Sequence, residues 1–210
     1  QLKTAISKSC NSYFANTYKR IVEKNNKPSL GLDNWSVHVK SFGLGDYLGY
    51  DLPQGSPGLI PTGAYYDNMY RYSWNASTNI SNAIGQGEVQ TTPIQLANFT
   101  AAIANKGYFY TPHILKEVDN KPIENPSFTE KKQTTIHKEH FNPIIEAMYE
   151  VFKTGTGGSE AEIISECLFN LGIISLTKAF CFDIIYQNQI NLKCDILKSS
   201  KFIEQLYLNI

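Results

Sequence analysis

Residues 82–115 read NAIGQGEVQTTPIQLANFTAAIANKGYFYTPHIL, and this stretch sets the fold class. Thr92 followed by Pro93 is a strong helix start. A threonine hydroxyl can accept from the free N–H groups of the first turn, and proline at the first helical position gives up a hydrogen bond it would not have made. Ile94, Ala97, Ala101 and Ala104 then recur on one face, which predicts that this face packs inward. Gly107 is a natural stop. Residues 108–115, YFYTPHIL, predict a strand. Gly85-Gln86-Gly87 reads as a tight turn feeding the helix. It is weak as a phosphate loop, because no strand–GxxxxGK[ST]–helix pattern surrounds it. Turn, helix and strand follow one another along this stretch.

Residues 12–24, SYFANTYKRIVEK, carry Phe14, Tyr18, Ile21 and Val22 at helical spacing. NNKPSLGLDNW (25–35) breaks that helix, and VHVKSFGLG (37–45) reads as a short helix or strand ending in a glycine turn. YDLPQGSPGLIPTG (50–63) is a loop with three prolines and three glycines. YYDNMYRYSWNAS (65–77) is aromatic and irregular. Residues 117–138 are polar and include a loop. FNPIIEAMYEVF (141–152) starts a second clear helix, with Asn142 as cap, Pro143 at the first position and Ile144, Met148 and Phe152 repeating every four residues.

The chain has 210 residues, the length of one domain or most of one. It begins with Gln1 rather than Met and reads as a fragment or processed product. The net charge is zero and no basic face stands out, which argues against nucleic acid or an anionic membrane as partner. No run of about 18 apolar residues appears. The four cysteines, Cys10, Cys167, Cys181 and Cys194, show no CxxC spacing, and the histidines have no ligand spacing with Asp or Glu. The reading therefore calls for no metal and no cofactor.

Ser9-Cys10-Asn11 is an S-x-N triplet just before a helix. Taken alone, Ser9 is a helix cap more often than a catalytic group. Its context is more informative. AISKSCNSYFANTYKRI (5–21) resembles the second motif region of class B penicillin-binding proteins. The segment with Gly85-Gln86-Gly87, Thr92-Pro93 and Gln95-Leu96-Ala97 resembles a segment of the same family, in the family's order. The resemblance covers about residues 1–162 and implies the central part of a penicillin-binding protein/serine β-lactamase-like transpeptidase domain, an α+β fold with an antiparallel sheet flanked by helices. The activity it implies is D,D-transpeptidation of peptidoglycan stem peptides, with β-lactams trapping the same serine. A serine in S-x-x-K attacks the penultimate D-Ala carbonyl once a lysine of lowered pKa takes its proton. Backbone N–H groups stabilise the oxyanion. The S-x-N serine relays a proton to the leaving amine, and the asparagine hydrogen-bonds the substrate amide. By resemblance those roles fall on Ser9 and Asn11. The parent enzyme is expected at the periplasmic face of the cell inner membrane, with a glycosyltransferase as partner.

Two motifs need separate weighing. The family places S-x-x-K before S-x-N, and none of the eight residues before Ser9 provides it. Ser175-Leu176-Thr177-Lys178 fits the pattern but lies far downstream, so the nucleophile is expected upstream of Gln1. Lys153-Thr154-Gly155 matches the third family motif, whose lysine holds the substrate carboxylate from a strand at the cleft edge. Here the preceding residues are helical. A lysine suits the last turn and a glycine suits the stop. Residues 154–158 thus match the turn that follows this helix in the family, and residues 160–166 the start of the next strand, leaving Lys153, Thr154 and Gly155 as a look-alike.

Beyond residue 162 the composition changes. All nine prolines lie at or before Pro143, and one glycine follows Gly158. ISECLFNLGIISLTKAF (164–180) holds no K-[ST]-G. Residues 163–210 are either a small helical segment or the out-of-frame product of AT-rich DNA, a frameshift or junction that would also remove the third motif. The chain alone is expected to be inactive and poorly stable, with core strands left unpaired. Three other readings remain open: a β-lactam sensor domain, a non-catalytic scaffold, and a free-standing enzyme using Lys153 and Ser175.

Overall fold

The computed structural model describes residues 1–24, 26–51, 54–115, 117–122 and 125–158. Residues 163–210, including the tail cysteines and Ser175, lie outside them. So does the strand expected over 160–166.

The chain opens with helix α1 (Leu2–Ser7) and helix α2 (Asn11–Val22). α2 buries Tyr18 and Val22, four residues apart on one face. The break expected over residues 25–35 is shorter than predicted. Pro28 stands at the start of a full helix, α3 (Pro28–Lys40). Proline is at home at that position, which the sequence reading took only as a breaker. Gly31 continues α3 because α2 crosses there: a Cβ would meet the Val22 carbonyl oxygen at 2.0 Å. The aromatic stretch read as irregular begins as helix α4 (Gly63–Met69), capped by the Thr62 hydroxyl, which accepts from Tyr65 N–H at 3.3 Å. α2, α3 and α4 enclose Tyr18, Val22, Leu32, Tyr66 and Ala76, with Trp35 and Trp74 against them. Full burial of a residue such as Val22 or Leu32 stabilises by about 1.5–3 kcal/mol.

Helix α5 (Pro93–Ala104) starts as predicted, with a reciprocal capping box between Thr92 and Gln95. Its inward face differs from the prediction. Gln95, Asn98, Ala102 and Ile103 are buried, while Ala97 is exposed and Ile94, Ala101 and Ala104 are half-buried. Two amides face inward because they serve loop carbonyls, an option that a count of apolar residues overlooks. The helix ends with Lys106 in the left-handed region (φ 59°) and Gly107 next.

Strand β1 (Tyr108–Phe109) is shorter than the predicted strand and pairs antiparallel with β4 (Lys132–Gln133). Between them lie a hairpin, β2 (Glu117–Val118) and β3 (Lys121–Pro122), and the short helix α6 (Pro126–Thr129). Asp119 and Asn120 turn the hairpin with positive φ, as a two-residue turn demands. Helix α7 (Phe141–Lys153) begins one residue before Asn142, with His140 as cap and Pro143 inside the first turn. It buries Phe141, Ala147 and Val151, while Ile144, Met148 and Phe152 are half-buried. α7 packs on α1 and brings the two ends of the described chain together.

Candidate active site

The S-x-N triplet lies on the link between α1 and α2. Ser9 N–H donates to Ile6 O (3.1 Å) and Cys10 N–H to Ala5 O (2.8 Å). This pair of bonds is a Schellman closure of α1, in which the residue after the cap takes a left-handed conformation. Ser9 is that residue, at φ 48°. The cap of α2 is Cys10, without a side-chain cap bond, so Ser9 is not the N-cap that the bland reading made it. A left-handed conformation costs a non-glycine residue roughly 1–2 kcal/mol, yet serine stands there. Asn11 is the first residue of α2 and is exposed. Among the described residues its side chain makes no hydrogen bond.

The turn after α7 closes on this link. Lys8 Nζ donates to Thr154 O at 2.5 Å. Thr156 N–H donates to Ser7 O at 3.1 Å. The hydroxyls of Ser9 and Thr156 are 3.0 Å apart. Gly155 fits because a Cβ there would meet Ser7 O at 2.1 Å. Its φ is not left-handed, so close approach, rather than the helix stop expected from the sequence, requires glycine. Further along the seam, Lys3 pairs with Glu150 at 3.7 Å, and Glu150 accepts from Thr154 Oγ1 at 3.1 Å. Lys153 is the last residue of α7, and Thr154 and Gly155 form the turn beyond it. None of the three lies on a strand. The lysine beside Ser9 is Lys8, whose ammonium neutralises the carbonyl end of α7.

Two polar systems tie the remaining elements together. In the first, Tyr18 of α2 donates to Asn79 Oδ1 (3.1 Å), and Asn82 Nδ2 donates to both Tyr18 Oη (3.3 Å) and Tyr66 Oη (3.0 Å). Tyr66 donates in turn to Glu88, beside the glycine turn. Burial pushes the Tyr18 hydroxyl up to about 12, with the Glu88 charge adding to it and the Asn82 bond opposing it. Burial, then the bond to Glu88, raises Tyr66 as well. In the second system Gln95 Nε2 donates to Asp46 O (3.0 Å) and Pro57 O (2.8 Å), while its Oε1 accepts from Thr92 N–H (2.8 Å). Asn98 donates to Phe42 O at 3.0 Å. Gly85 and Gly87 take φ 70° and 68°, a tight turn that carries Glu88 to Tyr66.

The sequence reading missed Thr156, Gln95 and the Tyr18–Asn82–Tyr66 chain. Gln95 had a signal, since glutamine three residues after a capping threonine spells the capping box. Tyr18 to Asn82 spans 64 residues of sequence, and no local pattern encodes such a pair. Ser175 lies outside the described residues. Among those described, no group of three or more His, Cys, Asp or Glu is placed to hold a metal ion.

Comparison with known proteins bears on the family and the fold. The Acinetobacter baumannii peptidoglycan D,D-transpeptidase MrdA is 33% identical over 155 residues, covering 73% of this chain and 22% of the relative. The chain thus spans about a fifth of that protein's length. Pseudomonas aeruginosa PBP2, solved in complex with WCK 5153, superposes with a TM-score of 0.63 at 28% identity, covering 77% of this chain and 36% of that one. A chain from a peptidoglycan synthase complex that coordinates polymerization and crosslinking gives a TM-score of 0.60 at 25% identity, covering 74% and 24%. Residues 1–166 match the penicillin binding protein transpeptidase domain, and the chain belongs to that family.

Proposed function

We propose that this chain is part of a peptidoglycan D,D-transpeptidase and contributes the S-x-N side of its active site. The observation that carries the reading is Ser9. A serine held at φ 48°, where glycine would relieve the backbone, supports a role for its hydroxyl. Ser9 relays the proton to the leaving amine of a D-Ala-D-Ala stem peptide, and Asn11, exposed and uncommitted, hydrogen-bonds the substrate amide. The attacking serine comes from an S-x-x-K segment elsewhere in the polypeptide, not from Ser175. β-Lactams acylate that serine. Lys153, Thr154 and Gly155 close α7 rather than bind the substrate carboxylate. The parent enzyme works at the periplasmic face of the inner membrane beside a glycosyltransferase; a polymerising partner is supported by the structural neighbour from a synthase complex that coordinates polymerization and crosslinking.

Ser9→Gly in the full-length gene product tests the reading. Relief of the left-handed residue offsets the lost hydrogen bond, so stability stays within about 1 kcal/mol of wild type. Acylation by penicillin slows by on the order of 100-fold. Unchanged acylation in the folded variant would remove Ser9 from the mechanism.

A further inference from the structure

The contact between Ser9 and Thr156 has a direction that matters. A hydroxyl has one proton to give and two lone pairs to receive with. If Ser9 donated to Thr156, its only proton would be turned into the seam and lost to chemistry. If Thr156 donates, Ser9 keeps its proton for the open side, where Asn11 begins α2. The backbone is set for this contact from both sides. Thr156 N–H is anchored on Ser7 O, and Lys8 Nζ is anchored on Thr154 O. Gly155 lets the two segments approach closer than any side chain would allow. The Schellman closure of α1 holds the Ser9 backbone at φ 48°, and the hydrogen-bond partner of its side chain is Thr156.

We propose that Thr156 is a positioning residue: its hydroxyl donates to Ser9 Oγ and fixes the rotamer in which the S-x-N serine offers its proton to the reacting groups. The inference rests on the transpeptidase reading of Ser9. It also gives the turn after α7 a role distinct from binding substrate carboxylate, since the working group is the Thr156 hydroxyl rather than the Lys153 ammonium.

Two measurements decide it. The first is a double-mutant cycle on the thermal stability of the full-length gene product with Ser9→Ala and Thr156→Val. If the hydroxyls are bonded, the double variant loses less stability than the sum of the two single losses; additive losses overturn the proposal. The second is the rate of penicillin acylation of the full-length gene product. Thr156→Val slows it by on the order of tenfold, a part of what a positioned proton donor supplies, and Thr156→Ser restores it. A merely structural threonine would show no rescue by serine beyond the recovery of melting temperature. Wild-type acylation rates in Thr156→Val overturn the proposal even if the cycle shows coupling. Failure of the wild-type protein to react with penicillin overturns the transpeptidase reading itself, and the positioning role with it, whatever the cycle shows.

Discussion

Gln95 shows how much one side chain can hold. It is 1% exposed, and its amide bonds Asp46 O, Pro57 O and Thr92 N–H. The two carbonyls belong to a loop with little secondary structure of its own, so the amide substitutes for a sheet. Gln95→Met keeps the volume and strands the partners. It is expected to destabilise the chain by on the order of 3 kcal/mol in urea denaturation, since buried unsatisfied groups cost about 1–3 kcal/mol each. Tyr18 gives a pH signature. Burial raises its folded-state pKa from 10.0 to about 12. The unfolded chain therefore loses this proton first, and the stability due to Tyr18 is complete below pH 10 and drains away as pH rises towards 12. Tyr18→Phe, followed by melting temperature against pH, should flatten that alkaline decline. The same decline in the variant would mean that other groups cause it.

Among the elements, the seam of α1 and α7 is the one that shapes the site. The helices were legible because α7 repeats its apolar residues and α5 announces itself with Thr92-Pro93. Their inward faces were less legible. α5 turns two amides inward, and only the distant carbonyls they serve explain why. The S-x-N triplet stood out as a motif, but its conformation did not, because the Schellman closure that places Ser9 depends on α1 ending at Ser7. Thr156 was invisible as a partner of Ser9 for a plainer reason: 147 residues separate them. The seam offers its own test. Gly155→Ala puts a methyl group 2.1 Å from Ser7 O, and backbone on both sides must give way. Such overpacking should destabilise by roughly 1–3 kcal/mol, and crosslinks or NMR shifts should show Ser9 displaced from Thr156. A neutral Gly155→Ala variant would show that the two segments do not approach this closely.

For the whole molecule, the described residues form two small cores, one among α2, α3 and α4 and one around Leu48, Ala102 and Phe109. The S-x-N link joins the first to the α1–α7 seam. The family follows from residues 1–166; on the proposed function these residues supply one wall of a transpeptidase site whose nucleophile lies elsewhere in the polypeptide. Covalent labelling of the full-length gene product with a β-lactam, followed by peptide mapping, tests that claim most directly. A single adduct is expected on an S-x-x-K serine outside residues 1–210, formed more slowly when Ser9 or Asn11 is replaced and unaffected by Lys153→Ala. An adduct on Ser175 that requires Lys153, or no adduct at all, would contradict it.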